Sequence, residues 1–581
     1  MVAACTASPL GSAPTSSPTP TSSPTRAEAS DGLDHSGPSF TLPDVPAGRV
    51  AITPGIDWRE PGWVRPAAHS GFFSEDASPT DHVSVRSVDL TWRQVEPHRG
   101  TLDTTSTGSA QEMTFASVDE QLAEGGPYWM RLFASGTTWA PDWVAQRCHV
   151  RSYGPDYDGQ RHLPIWNECV WSALLDTYRR VFVEHGLAAD PNLRFVYVPG
   201  AFTWAEFDYD VIAAAAKTGD LDAASYLKWY AHAWTDLATL FGPHANKLVF
   251  TGEDYPFGPF APAQQDLLAV QATKAGLGIR TGITEESNFH LSEAPAYGSH
   301  VQPDGHLVVD ESLPIHDGQH VVATENECYD ACGYTTDDTP GALEYAVVQS
   351  NLKALQLRMN WMYVVPTDSK LADFPEHWDW VRLSLGQTAE TSPDAWADLR
   401  DASDTYWNDG SADGAYPAPP ITDRAAWPSR PYVRNLERWV VQHDVPGGRA
   451  RRSHVDVHRS VLAKENGVAY EGLATDVAHG QRGLYFDVDD RFVATTGGDL
   501  QVQVTFWDAG GDFTLVGSGQ TSSKVRPTGT EKWRTATVAW PAAAFAGGLT
   551  GGTDLAVRAS GRTDPTVRLV RVVRLKAPRG R

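Results

Sequence analysis

The chain has no run of about 18 apolar residues, the length a helix needs to cross a bilayer, so no such helix is expected. It has no CxxC pair, and its 19 His do not cluster at ligand spacing, so no structural metal is expected. No Gly-x-Ser-x-Gly elbow follows a strand-like run, which argues against Ser-His-Asp hydrolysis. No phosphate-cradling glycine loop is present, and no nucleotide cofactor is expected. Positive charge is also scarce: 47 Lys and Arg stand against 72 Asp and Glu, a formal charge of −25. Such a field repels a phosphate polyanion, so nucleic acid is not an expected partner.

Aromatic residues are abundant, with 21 Trp, 19 Tyr and 20 Phe. Many must fill cores, but a surplus of flat rings also suits sugar binding, because the apolar face of a pyranose stacks on them. A chain of 581 residues exceeds what one core organises, so at least two domains are expected. The acidic, Thr-, Gly- and Asp-rich, Lys-poor composition is of a kind common among exported proteins of high-GC bacteria.

Five cysteines occur, and Cys5 follows Val2-Ala3-Ala4 and precedes a tract of Ser, Thr and Pro. This context resembles the lipobox of a bacterial lipoprotein, although the charged and apolar segments that normally precede it are missing, as in a truncated or trimmed start. Lipidation at Cys5 implies an exported, cell-surface protein that meets the membrane only through that anchor. It leaves Cys148 with Cys169 and Cys328 with Cys332 as expected disulfides of an oxidising compartment. Four free buried thiols in a cytosolic enzyme are the alternative.

Residues 1–45 read as this start plus a tether too poor in large apolar side chains to order itself. From 46 to 405, β-branched runs alternate with amphipathic stretches. The expected strands are Arg49–Ile56, His82–Leu90, Tyr128–Ala134, Leu193–Pro199, Lys247–Gly252, Ile279–Thr284, His320–Thr324 and Met359–Val365. The expected helices are Phe115–Glu124, Val170–His185, Ser225–Phe241, Gln265–Gly276 and Gly341–Leu357. Eight strands alternating with helices predict an α/β fold, a (β/α)₈ TIM barrel. A doubly wound open sheet is the rival, but Thr53-Pro54-Gly55-Ile56-Asp57-Trp58 lacks its phosphate turn. Residues 406–430 read as a linker. Over 431–581, short alternating runs such as Leu500–Phe506 and Thr566–Val573 predict a C-terminal antiparallel β-sandwich, either a buttress or a glycan-binding module.

In a barrel, functional groups gather at the C-terminal ends of the strands. Past the fourth expected strand comes Ala201-Phe202-Thr203-Trp204-Ala205-Glu206-Phe207, and the seventh runs into Ala323-Thr324-Glu325-Asn326-Glu327. These placements, with Leu90-Thr91-Trp92-Arg93-Gln94-Val95-Glu96-Pro97 after strand two, resemble the large clan of retaining (β/α)₈ glycoside hydrolases. The resemblance covers roughly 46–400 and rests mainly on motif order. It implies Glu325 as nucleophile and Glu206 as acid/base. The usual Asn-Glu dipeptide is replaced by Ala205-Glu206, a mark of a divergent member.

Such chemistry needs two carboxyls, one protonated to release the leaving oxygen and one ionised to attack the anomeric carbon. A gap of about 5 Å gives retention, and roughly 6.5–9.5 Å gives inversion. Glu253, Glu286 and Glu327 compete for these roles; Glu253 and Glu286 are better placed to hold sugar hydroxyls. Asp57, Trp58, Arg131, Trp139, Trp204 and Trp361 are expected around the mouth as substrate-binding residues. The expected activity is hydrolysis of an extracellular poly- or oligosaccharide. The alternatives are a non-catalytic glycan-binding surface lipoprotein on a degenerate barrel, and a lyase or transglycosylase on the same scaffold.

Overall fold

The computed structural model describes residues 33–400 and 433–578, apart from 47, 75–82, 112, 157–158, 201–208, 252–266, 282–292, 327–339, 368, 449–450, 456–468, 495 and 497. Eight parallel strands close into a barrel. They are β1 (Gly71–Phe73), β2 (Val83–Thr91), β3 (Tyr128–Phe133), β4 (Leu193–Tyr197), β5 (Leu248–Thr251), β6 (Gly278–Thr281), β7 (Val322–Asn326) and β8 (Trp361–Val364).

Alternation along each strand separates two cores. On β3, Tyr128, Met130 and Leu132 pack outward against the helices, while Trp129 joins Phe73, Val85, Phe195, Tyr197, Val249, Ala323, Trp361 and Tyr363 in the lumen. Strands β6 and β7 approach so closely that a Cβ at Gly278 would lie 2.6 Å from the Val321 carbonyl oxygen. The outer helices follow their apolar periodicity. In Ala223–Phe241, Tyr226, Trp229, Tyr230, Ala233, Trp234, Leu237 and Phe241 form one buried stripe, and Asp222 caps the first turn through the Ser225 amide.

The segment Arg49–Ile56 is not the first barrel strand. Residues Val50–Pro54 pair antiparallel with Trp533–Pro541, at the edge of the C-terminal sheet. Its β-branched residues are satisfied by that long-range partner, and the place in the barrel falls to the short β1. Asp394–Asp398 likewise pairs with Thr566–Arg574, so both ends of the 46–405 stretch contribute strands to the sandwich. The sandwich packs this large sheet on a second one built from Val440–His443, Gly483–Val488, Leu555–Ala559, Phe513–Gly517 and Gln520–Thr521, around a shared apolar core.

Barrel and sandwich are joined by a buried cation. Arg571 reaches Glu60 at 2.5 Å, Asp394 at 2.7 Å, the Asp57 carbonyl and Gln503, and it lies over the Trp380 ring. Helix Pro375–Ser384 is enclosed between the two units, because Trp378 packs on Phe72 of β1 while Trp380 faces Arg571 and Trp396.

Candidate active site

The carboxylate of Glu325 stands at the C-terminal end of β7, within the lumen. Its register partner on β8 is Tyr363, and Arg280 on β6 lies opposite Ala323. The long arginine side chain climbs from that level to put Nη1 2.7 Å from Glu325 Oε2. Arg280 is 4% exposed and Glu325 15%, so the cation is buried and the carboxylate is in part accessible. The guanidinium lies 5.2 Å from the Tyr363 ring centroid and 5.6 Å from that of Tyr197 on β4. Two aromatic rings and the Arg280 cation thus orient this partly exposed carboxylate. A carboxylate beside a guanidinium is favoured in its ionised form.

A second ion pair occupies the lumen. Arg131 on β3 donates from Nε to Asp89 on β2 at 2.6 Å and from Nη2 at 3.2 Å. Its guanidinium lies between the Trp129 and Phe133 rings, at 5.5 and 5.1 Å. Arg131 is therefore a buried strut, and Asp89, with a side chain 10% exposed, is the member of the pair nearer water.

The remaining expected site residues fall in other places. Asp57 is held by Arg59, with contacts of 2.8 and 2.7 Å, at the sandwich side of the barrel. Trp58 packs there against His377 and Trp380 at 4.6 and 4.5 Å and is buried. Trp139 is buried edge-on to Phe133 and His162, and Trp361 is buried in the lumen core beside Phe195. None of these three indoles offers an open face for a sugar; each sits where an aromatic completes a core. Cys5, Trp204, Glu206, Glu253, Glu286, Glu327, Cys328 and Cys332 lie outside the described residues. The Cys148–Cys169 disulfide is formed, joining helix Asp142–Cys148 to helix Glu168–Tyr178.

The segment after β2 is a structural device. Thr91 caps the short helix Trp92–Val95 and exchanges bonds with Gln94 in a capping box. Glu96 is buried against Thr177, Arg180 at 2.9 Å and the Gly100 amide at 2.6 Å. Beyond β3, Ser135 lies 2.8 Å from His162 Nδ1, and His162 Nε2 lies 2.7 Å from Asp156. All three are buried, so this chain of bonds braces the loop and presents no nucleophile to solvent.

Arg280, Tyr197 and Asp89 were not legible as site residues. Parity is a signal for two of them, since Tyr197 and Asp89 share the inward faces of their strands with Phe195 and Val85, whereas Arg280 has only Gly278 beside it on that face.

No metal-holding cluster of His, Cys, Asp and Glu occurs among the described residues. No family model matches the chain, and no curated relative matches it. Among solved structures, the chain is similar to a Paenibacillus sp. cycloisomaltooligosaccharide glucanotransferase complexed with cycloisomaltoheptaose, at 7% identity over 81% of this chain and 51% of that one, with a TM-score of 0.18. It is also similar to an uncharacterized protein of Listeria monocytogenes EGD-e, at 8% identity over 78% of this chain and 58% of that one, again with a TM-score of 0.18. The chain thus spans only about half to three-fifths of the length of these two structures. Likenesses this faint bear on neither its fold nor its chemistry.

Proposed function

We propose that this chain is a glycosidase that cleaves an extracellular poly- or oligosaccharide by double displacement, with Glu325 as nucleophile and Glu206 as acid/base. The observation that carries the reading is the Glu325 carboxylate itself, seated at the C-terminal end of β7, partly accessible and held by the buried Arg280. Barrel enzymes place their chemistry at that end of the strands, and an oriented, ionised carboxylate is what attack on an anomeric carbon requires.

In the first step a Glu325 oxygen bonds to the anomeric carbon while the glycosidic C–O bond breaks, and Glu206 gives its proton to the leaving oxygen. In the second, Glu206 takes a proton from water. The resulting oxygen nucleophile attacks the same carbon and releases Glu325 as a carboxylate. Tyr197 and Tyr363 are buried against the Arg280 guanidinium and serve by holding that cation, and through it Glu325, in position. Export and lipidation at Cys5 belong to the same proposal; the Cys148–Cys169 bond suits an oxidising compartment.

The test is sugar release from a panel of bacterial and plant polysaccharides and aryl glycosides, comparing wild type with Glu325→Gln. Release that the variant loses by several orders of magnitude supports the assignment, and retention of anomeric configuration in the product supports double displacement. Undiminished release in the variant overturns Glu325 and moves attention to Glu327, Glu253 or Glu286. Silence across the panel with glycan binding retained favours the surface-binding reading.

A further inference from the structure

Between β6 and β7 the chain leaves the barrel, and its described part, residues 293–320, reaches the C-terminal sheets. It carries the hairpin formed by Ser299–Val301 and Leu307–Val309. Its base is tied to both strands of the site: the Tyr297 hydroxyl meets that of Thr281 on β6 at 2.8 Å and donates to the Ala323 carbonyl on β7 at 2.7 Å. A shift of this excursion therefore acts on the backbone next to Glu325.

Two of the side-chain contacts that hold the excursion against the sandwich side, Glu311 and His306, differ in what they do with pH; the backbone bond from the Arg434 amide to the Gly305 carbonyl stands beside them. At its foot, Glu311 accepts from Arg358 at 2.6 Å, from Arg491 at 2.8 Å and from the Trp439 indole at 3.3 Å. Burial alone would raise its pKa, but the two guanidiniums outweigh burial and hold it at about 2. This contact stays charged through the neutral range.

At the hairpin tip, His306 Nδ1 lies 2.7 Å from Glu437 Oε2 on the strand Leu436–Arg438. His306 is 7% and Glu437 5% exposed. The other carboxylate oxygen of Glu437 takes the Asn435 side chain at 3.1 Å and the Gln442 amide at 2.9 Å. Three further charged or titratable groups face the imidazole: His443, with its ring 5.8 Å away, Asp304 on the hairpin itself, and Arg434, whose amide donates to the Gly305 carbonyl at 2.8 Å. Burial disfavours the imidazolium, yet the bond to Glu437 and its charge, with Asp304, prevail over burial and Arg434 and move His306 above the ordinary 6.5. Burial and the neighbouring His306 move His443 the other way.

We propose that His306 and Glu437 form a pH-operated latch, which holds the β6–β7 excursion to the sandwich when His306 is protonated and loosens when it is not, with Glu311 as the pivot that stays in place. The sign follows from the direction of the shift. A histidine raised in the folded state contributes stability fully below about 6.5, and that contribution is lost as pH rises through the folded midpoint. His443 contributes with the opposite sign, so the latch is read from the difference between wild type and a His306 variant. The proposal stands independently of the glycosidase reading, since its readout is not activity.

The experiment is amide hydrogen exchange on the full chain at about pH 6 and about pH 8.5, corrected for the intrinsic rate, in wild type and His306→Gln. The reporters are Gln302, which donates to His306 O, Asp310, which donates to Gly298 O, and Arg434. In wild type, protection should fall with rising pH by roughly tenfold for each unit by which the His306 midpoint exceeds its ordinary value. In His306→Gln that fall should be absent, and any remaining pH response should have the opposite sign, from His443. A pH response in the variant equal to that of wild type overturns the latch. Should the variant misfold, an NMR titration of the His306 ring in wild type decides: a midpoint at or below 6.5 overturns the proposal, and one above it supports the latch.

Discussion

Arg280 and Glu325 face one another across the β6–β7 boundary at 2.7 Å, the guanidinium buried in the lumen and the carboxylate partly accessible. Removing the cation leaves a carboxylate with its base buried and its nearest counter-charge gone. Arg280→Gln should cost on the order of 2–3 kcal/mol of stability, the lower part of the range for a broken buried pair because Glu325 is partly wet. Chemical denaturation checks this. Arg280→Lys should recover part of the loss, since it restores charge without the planar fork.

Arg571 serves two buried carboxylates, Glu60 and Asp394, at the junction of barrel and sandwich. Burial pushes the Glu60 carboxyl well above its usual range, with Arg571 opposing. Arg571→Met should destabilise the whole chain by about 3–5 kcal/mol, because it strands acidic groups in a dry interface. Equilibrium unfolding followed by tryptophan fluorescence measures it. A loss below about 1 kcal/mol would show that the interface relaxes or admits water.

Glu311 gives a pH dependence of the opposite sign to His306. Its folded pKa, about 2, lies below the ordinary 4.5, so its contribution is present above about 4.5 and is lost as pH falls toward 2. Discounted for the edge that water reaches, it amounts to roughly 2 kcal/mol. In Glu311→Gln the melting temperature should fall less steeply between about pH 4.5 and 2.5 than in wild type. Parallel curves would remove Glu311 from the acid response.

The Cys148–Cys169 bond closes a loop with a sequence separation of 21. A crosslink of that span is worth about 3 kcal/mol, chiefly through the unfolded chain. The double variant Cys148→Ser, Cys169→Ser should lose that amount in a denaturant titration, and reducing agent should then leave it unchanged.

Trp58 separates a core role from a sugar-binding role. It is 6% exposed and packed on His377 and Trp380. Trp58→Ala should cost about 3–5 kcal/mol. Any substrate that wild type turns over should be processed with an unchanged KM, as kinetics at a permissive temperature would show.

Much of the fold was already present in local pattern. The strands β2 to β8 and five of the helices around them follow from apolar periods near 2 and 3.6, because each element must bury one face whatever its neighbours are; helices Asp142–Cys148 and Pro375–Ser384 were not among those expected. The same reasoning put Glu325 at a strand end. It failed at β1, where Gly71–Phe73 is too short to show a period, and at Val50–Pro54, whose β-branched run suits an antiparallel edge as well as a barrel strand. A strand pattern states that a partner is needed and not which partner, and here the partner lies at the far end of the chain.

Tertiary structure alone decided which charges meet. Parity sends Arg280, Glu325, Asp89 and Arg131 to the lumen, but closure of the barrel and the register between strands choose the pairs Arg280–Glu325 and Asp89–Arg131. The same holds for the indoles. Trp58, Trp139 and Trp361 look like a sugar platform along the chain, and packing buries all three. Burial depends on what arrives from elsewhere, so the sequence by itself determined the barrel, the sandwich and the strand-end carboxylate. Long-range contacts determined which polar groups remain open to the mouth.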